Sequence, residues 1–516
     1  MTEGEGVRRD TGDGGGEQGS AAIPRRDWIV AAALAALGCS LPFLLAEFPP
    51  STDLPQHLAQ IRLFDELVGL APASPMCAEP IAINWLGPGN LVYAPMWLLS
   101  RAFSPAAVGR ITLWLLVLLD VGVLFGIAWR RRRSPWSALA ASVFAFNLNL
   151  YWGFLGSLLG APLFLLWVHT LSGLSAAPRW KDTWRLMALA FALYGAHSIC
   201  FLLAVAWLAV ATLAERPGAR AALARGAAIL PTIALAAIWF PRLSHLRQVG
   251  GFDLGAHWMN AFAHRLNPMW LVDAALGGLR GPLEPGILVI CAVWIALSLG
   301  TNRGSLRRAV DRPLAWSALA FLGVAYLGPD KYMNTIYAGS RFAPLAFSFA
   351  LLAVPAPKLG GLVTRLLPIA TATVFFSITA LAWRAFDASE LSGLRASLDA
   401  IRKPGMVLEL DFAKGSELIK PAPFLQLVGY AEAEKGVVPN FSFAEHGSSI
   451  VAYTRRREIP WTRSLEWFAE RVRHEDIAHF DYVLVVGNDD LQARFARFSG
   501  LVPLTRRGRC RLYAGG

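Results

Sequence analysis

An aspartate and a histidine four residues apart carry the most suggestive chemistry in this chain. They sit in the stretch Asp53-Leu54-Pro55-Gln56-His57-Leu58. Pro55 suits a first helical turn, where its missing N–H has no partner to lose. Leu54, Leu58, Ile61, Phe64, Leu67 and Val68 then recur at helical spacing, with polar residues largely between them. A helix starting at Leu54 puts Asp53 at its cap and His57 about one turn on, pointing the same way. A carboxylate so placed can act as a general base or bind a divalent cation. His57 can orient it or contact a phosphate. The plainer readings are a helix cap for Asp53 and a solvated interfacial imidazole for His57, and the sequence leaves both open.

Four further places hold groups suited to binding. His197 follows Gly195-Ala196 inside a long apolar run. Ionisable groups at membrane depth are costly and tend to face a cavity or a partner. Asn147, Asn149, Tyr151 and Trp152 are grouped so that they can line the same cavity or form an interfacial aromatic belt. Arg341 opens a hydrophobic run, where a guanidinium can grip a phosphate with two N–H groups or snorkel to lipid headgroups. Lys331, Arg242 and Arg247 add positive charge that would suit an anionic ligand. No spacing of Cys and His suggests a zinc site, and no cofactor is identified beyond a possible divalent cation at Asp53.

The elements that must position these groups belong to a membrane. The chain has 516 residues, of which 55% are hydrophobic and 16% charged, and a mean hydropathy of +0.44. Crossing a bilayer helically takes about 20 apolar residues, and many such runs occur. The net charge of +12 is largely Arg clustered between hydrophobic spans, which argues for cytoplasmic loops and against nucleic-acid binding. Residues 1–24 are Gly-rich and polar and read as a disordered cytoplasmic tail. The first span is expected at residues 28–46. An apolar but proline-broken segment, 80–103, reads as re-entrant or interfacial. Spans follow near 108–129, 136–150 and 154–174. The run 186–213 breaks at Gly195-Ala196-His197 and reads as two short helices. Others follow near 221–240, 286–299, 313–327, 342–354 and 363–383.

About eleven spans place all six basic clusters on one side: Arg25-Arg26, Arg130 to Arg133, Arg179/Lys181/Arg185, Arg216/Arg220/Arg225, Arg303/Arg307/Arg308/Arg312 and Lys358/Arg365. The amino terminus is then cytoplasmic in a cell (inner) membrane, and the Asp53 loop, the His197 break and Arg341 face outward. Residues 387–516 follow on the outer side. There the apolar runs shorten and acidic and basic residues balance. Met406–Leu410 and Tyr482–Val486 read as strands, and Phe424–Glu434 and Glu466–Arg473 as helices. The fold class expected is mainly α: a polytopic helical membrane domain, residues 25–386, with a small C-terminal extracytoplasmic α/β domain. No GxGxxG or P-loop points to a nucleotide.

Taken together, the chain resembles the GT-C superfamily of polytopic glycosyltransferases. The shared features are a first span, an outer loop opening with Asp53, a surface helix, short broken spans and an extracytoplasmic tail. Asp53-Leu54-Pro55-Gln56-His57-Leu58-Ala59, Trp152-Gly153-Phe154, His197, Arg341 and the tail stretch from Gly429-Tyr430 to Tyr453 also look like a group of largely uncharacterised bacterial membrane proteins. The resemblance implies sugar transfer from a polyprenyl-phosphate-linked donor, with Asp53 as catalytic carboxylate and Arg341 on the donor phosphate. It implies a membrane lipid partner and no nucleic acid, and names no protein partner. Many members carry a second acid beside the first-loop Asp. Here Leu54, Pro55, Gln56 and His57 follow instead, so no metal pair carries over. The rivals are a transporter or flippase, which would need polar groups along a transmembrane path, and a non-catalytic assembly protein.

Overall fold

The computed structural model describes residues 23–174, 179–242, 253–447 and 449–515. Arg247, one of the outward-facing cations expected above, lies outside them. Seven of the described helices are long and apolar enough to cross a membrane: Arg25–Leu45, Pro105–Arg130, Leu155–Ser172, Ser198–Glu215, Ala219–Trp239, Leu283–Thr301 and Gly361–Glu390. Shorter apolar helices span Arg312–Leu327 and Ser340–Ala353. This is a mainly helical, multi-pass membrane protein. Phe43 of the first helix and Trp383 of the last pack edge to face, their ring centroids 5.0 Å apart, with Phe146 against both.

The break at His197 is real. One helix ends at Ala196, the next starts at Ser198, and His197 between them is extended at φ −166° and ψ 133°. Residues 136–150, expected as one span, are instead a helix over Pro135–Ala141, a tight turn, and a second short helix over Leu148–Trp152. Asn147 is the cause. Its side-chain oxygen accepts from the Asn149 amide at 2.9 Å, and such local bonds start a helix rather than continue one. The segment 80–103 does not form a long helix. It holds a strand over Ile81–Ile83 and a helix over Tyr93–Ser100.

At the end of the bundle where the first helix starts, basic clusters meet acids and helix ends. Arg131 pairs with Asp311 at 3.0 Å, Arg365 with Asp27 at 3.0 Å, and Arg133 donates to the carbonyls of Leu352 and Ala309. The Asp53 loop leaves the opposite end of that helix.

The tail folds around a five-stranded sheet in the order Val438–Pro439, Met406–Asp411, Tyr482–Val486, Cys510–Ala514, Val502–Pro503. The first two pairings are parallel and the last two antiparallel. Both of these inner strands are buried, Leu408, Leu410, Val483 and Val485 packing against Phe495 and Tyr513. The helix expected at 424 starts at Val428, where both carboxylate oxygens of buried Glu409 accept its first amides, those of Leu427 and Val428, at 3.0 Å. In place of a helix over 466–473 there is one tight turn, Ala469–Arg471. Ser464 stands in the left-handed region at φ +62°, and the amides of Trp467 and Phe468 turn back onto its carbonyl.

The tail and the segment that follows the first helix interlock. Strand Ile81–Ile83 pairs antiparallel with Val451–Tyr453. Two fully buried glutamines of the surface helix reach the tail backbone. Gln56 accepts from the Phe443 amide and Gln60 from the Val451 amide, each at 2.9 Å. Gly429 sits so close that a Cβ there would lie 2.6 Å from the Pro55 carbonyl carbon.

Candidate active site

Three residues fix the start of the surface helix Leu54–Leu67 against the short helix before Gly153. Ser51 Oγ donates to the Leu150 carbonyl at 2.8 Å. The amides of Thr52 and Asp53 donate to the carbonyls of Tyr151 and Trp152 at 2.9 Å. Gly153 makes this possible. Its φ is +78°, and a Cβ would stand 2.9 Å from the amide nitrogens of both Asp53 and Leu54. Trp152-Gly153-Phe154 is therefore the cradle in which the Asp53 loop rests.

Asp53 stands at the cap position, yet its side chain caps nothing. Among the described residues no basic group lies within ion-pair distance of it. Its half-buried carboxyl faces a cavity of about 610 Å³. Burial raises the carboxyl from its ordinary 3.8 to about 7, with Arg341 pulling the other way. A carboxylate in that range is half ionised near neutral pH, which suits a general base.

His57 faces the same cavity. Its Nδ1 lies 2.7 Å from the Tyr93 hydroxyl, and Phe443 meets its ring edge to face. Burial lowers it to about 4, against a backbone hydrogen bond to Gly153, so the ring is neutral at pH 7. Tyr93 and Gly153 thus take its two nitrogens, and this histidine braces the cradle around Asp53.

Arg341 is 7% exposed, and its guanidinium lies 3.4 Å from the centre of the Phe154 ring. Nε donates to the Ile336 carbonyl at 2.9 Å and one terminal nitrogen to Ser157 Oγ at 3.2 Å. Among the described residues no carboxylate lies within ion-pair distance. A buried guanidinium held by neutral groups keeps its charge for a ligand. Lys331 lines the cavity from a hairpin whose turn residues, Met333 and Asn334, both have positive φ. It is partly neutralised by Asp253 at 3.7 Å. His197 also lines the cavity. Its Nδ1 accepts from the Ile199 amide at 3.1 Å, which leaves the proton on Nε2.

The structure brings Asp53, His57, Trp152, His197, Lys331 and Arg341 to one cavity. Asn149 stands behind it, its side-chain amide donating to the Arg341 carbonyl at 3.0 Å, so its contact is with the arginine's backbone. Arg242 turns to Asn84 at 2.9 Å.

No family model and no curated protein matches the chain. Solved structures do. ArnT from Cupriavidus metallidurans bound to undecaprenyl phosphate superimposes with a TM-score of 0.53 at 11% identity, over 94% of this chain and 97% of that one. The apo form of the same protein gives 0.55 at 12%, over 95% and 98%. Arabinofuranosyltransferase AftD from Mycobacteria gives 0.51 at 14%, over 96% of this chain and 40% of that one. The chain has a GT-C-like fold.

Within this GT-C-like frame, sequence reasoning had missed the contribution of the tail. Phe441, Phe443, Glu445, His446, Glu466 and Trp467 all line the cavity, as does Tyr93. The stretch up to Tyr453 stood out by resemblance, but nothing in its residue types showed that it reaches Asp53. Among the described residues no group of three or more His, Cys, Asp or Glu side chains is set to hold a metal ion. Asp53 has no second acid beside it in its own turn, where Leu54, Pro55, Gln56 and His57 follow.

Proposed function

We propose that this protein transfers a sugar from a polyprenyl-phosphate-linked donor to an acceptor at the outer face of the cell membrane. The observation that carries the reading is one cavity lined by both the Asp53 carboxyl and the buried Arg341 guanidinium, neither of which has a partner within ion-pair distance among the described residues. The likeness to a structure solved with undecaprenyl phosphate supports the lipid class. The donor's hydrocarbon tail stays in the bilayer, so only its head needs the aqueous cavity.

In this reaction the acceptor hydroxyl oxygen attacks the anomeric carbon, and its proton passes to the Asp53 carboxylate. The bond from that carbon to the phosphate oxygen breaks, and the electron pair leaves with the polyprenyl phosphate. Arg341, with Lys331 beside it, holds the charge that grows on the phosphate. Phe154 keeps the guanidinium in place. His57 and Gly153 hold the loop, so the carboxylate meets the hydroxyl without searching.

The test is Asp53→Asn in a lipid-linked sugar transfer assay with purified protein in nanodiscs. The carboxylate makes no structural bond, so the variant folds, and turnover drops about 10²- to 10⁴-fold. Unchanged turnover would remove Asp53 from the chemistry.

A further inference from the structure

The cavity has two walls of different origin. The membrane-helix side presents Asp53, Arg341, Lys331 and His197. The tail presents Glu445, Glu466 and Trp467. These tail groups differ in how far the protein has used them. Glu445 stands 3.7 Å from Arg457, which is buried and held by the Pro439 carbonyl. Glu466 has no ion pair among the described residues, and burial beside Glu445 raises it to about 7. Trp467 lines the cavity and is 45% exposed, whereas Trp461 of the same tail is buried. One cation, Arg463, shares this wall, and a terminal nitrogen of it donates to the Arg457 carbonyl at 3.2 Å.

The loop that carries Glu466 and Trp467 is strained. Ser464 is a non-glycine residue at φ +62°, and the two following turns close onto its carbonyl. Such conformations are costly and cluster where a ligand is clamped. This loop places Glu466 and Trp467 on the cavity wall. An acid with free lone pairs accepts hydrogen bonds from hydroxyl or ammonium groups and repels phosphate. An indole face packs on the C–H face of a sugar ring, whose hydroxyls lie round its edge.

We infer that the tail loop 463–468 is the acceptor subsite, and that it takes a neutral or amino-bearing glycan rather than a phosphorylated one, with Glu466 on its hydroxyls and Trp467 under its ring. This rests on the donor reading above, with the two substrates entering from opposite walls. Glu466 and Trp467 set acceptor specificity and take no part in the departure of the phosphate.

The experiment measures binding to the full chain in nanodiscs. The probes are undecaprenyl phosphate, maltopentaose, a chitosan pentamer and phosphorylated maltopentaose. The wild type binds the neutral and amino glycans more tightly than the phosphorylated one. Glu466→Gln and Trp467→Ala each weaken glycan binding about ten-fold or more and leave undecaprenyl phosphate affinity and the melting temperature unchanged. Glu466→Gln also narrows the gap between neutral and phosphorylated glycan. Equal or tighter binding of the phosphorylated probe by the wild type, no glycan binding at all, or glycan binding unchanged in both variants would overturn the inference. Arg341→Lys is the separate control. If undecaprenyl phosphate binding survives that change intact, the donor reading fails, whatever the glycans do.

Discussion

Gly153→Ala is a one-carbon change behind the proposed base rather than in the cavity, and it should nearly silence the protein. The added methyl would lie 2.9 Å from the amide nitrogens of Asp53 and Leu54 and 3.0 Å from Ser51 Oγ. Ordinary van der Waals contact begins near about 3.5 Å, so each amide must retreat by roughly 0.6 Å. The retreat stretches the bonds from the Thr52 and Asp53 amides to the carbonyls of Tyr151 and Trp152, now 2.9 Å long. Left-handed geometry at φ +78° adds about 1–2 kcal/mol for a residue with a Cβ. The expected loss of stability is about 2–3 kcal/mol, in the range of an overpacked core. The expected loss of turnover is on the order of 10²-fold, because a reacting group moved by about 1 Å loses that much. Transfer from a lipid-linked donor and thermal melting, run side by side, measure both. Gly226→Ala serves as the control, since nothing lies within 4 Å of a Cβ built there. If Gly153→Ala turns over like the wild type, the cradle does not position Asp53 and the geometric case for its role collapses.

The pH profile of transfer should fall as pH drops through about 7, where Asp53 takes up a proton, and Asp53→Asn should erase that limb. Stability gives an independent check. The folded chain keeps this proton up to about 7 and the unfolded chain only to about 3.8, so ionisation between those values favours unfolding. Asp53→Asn should therefore flatten the fall in melting temperature with rising pH across that window, and an unaltered slope would show the carboxyl ionises freely. Arg341→Lys keeps the charge but loses the planar stack on Phe154 and the Ile336 and Ser157 contacts. It should lower kcat/KM ten-fold or more, mostly through the donor. Gln60→Ala leaves the Val451 amide buried without its acceptor, which costs about 1–3 kcal/mol. Hydrogen exchange should then speed up in Val451–Tyr453 and in its partner strand before the bundle responds.

What could be read from the sequence was what local pattern and hydropathy control. The His197 break was visible because a glycine and an ionisable residue interrupt an apolar run, and the helix after Asp53 because proline and periodicity mark it. The division of residues 136–150 escaped because hydropathy does not register a side-chain cap such as that of Asn147. Asn149 looked like a ligand for the same reason. Its polarity was legible, but the carbonyl of Arg341 that it serves is 192 positions away. The tail wall escaped for a stronger reason. Gln56 and Phe443 are 387 positions apart, and no local property of Glu466 or Trp467 says which cavity they will face.

The pairing of Ile81–Ile83 with Val451–Tyr453 has a consequence for biogenesis. About 370 residues must be made between the two strands, which at some 5–20 residues per second takes on the order of 20–75 s. During that interval the nascent strand Ile81–Ile83 waits with an unpaired edge, and the cavity has only one wall.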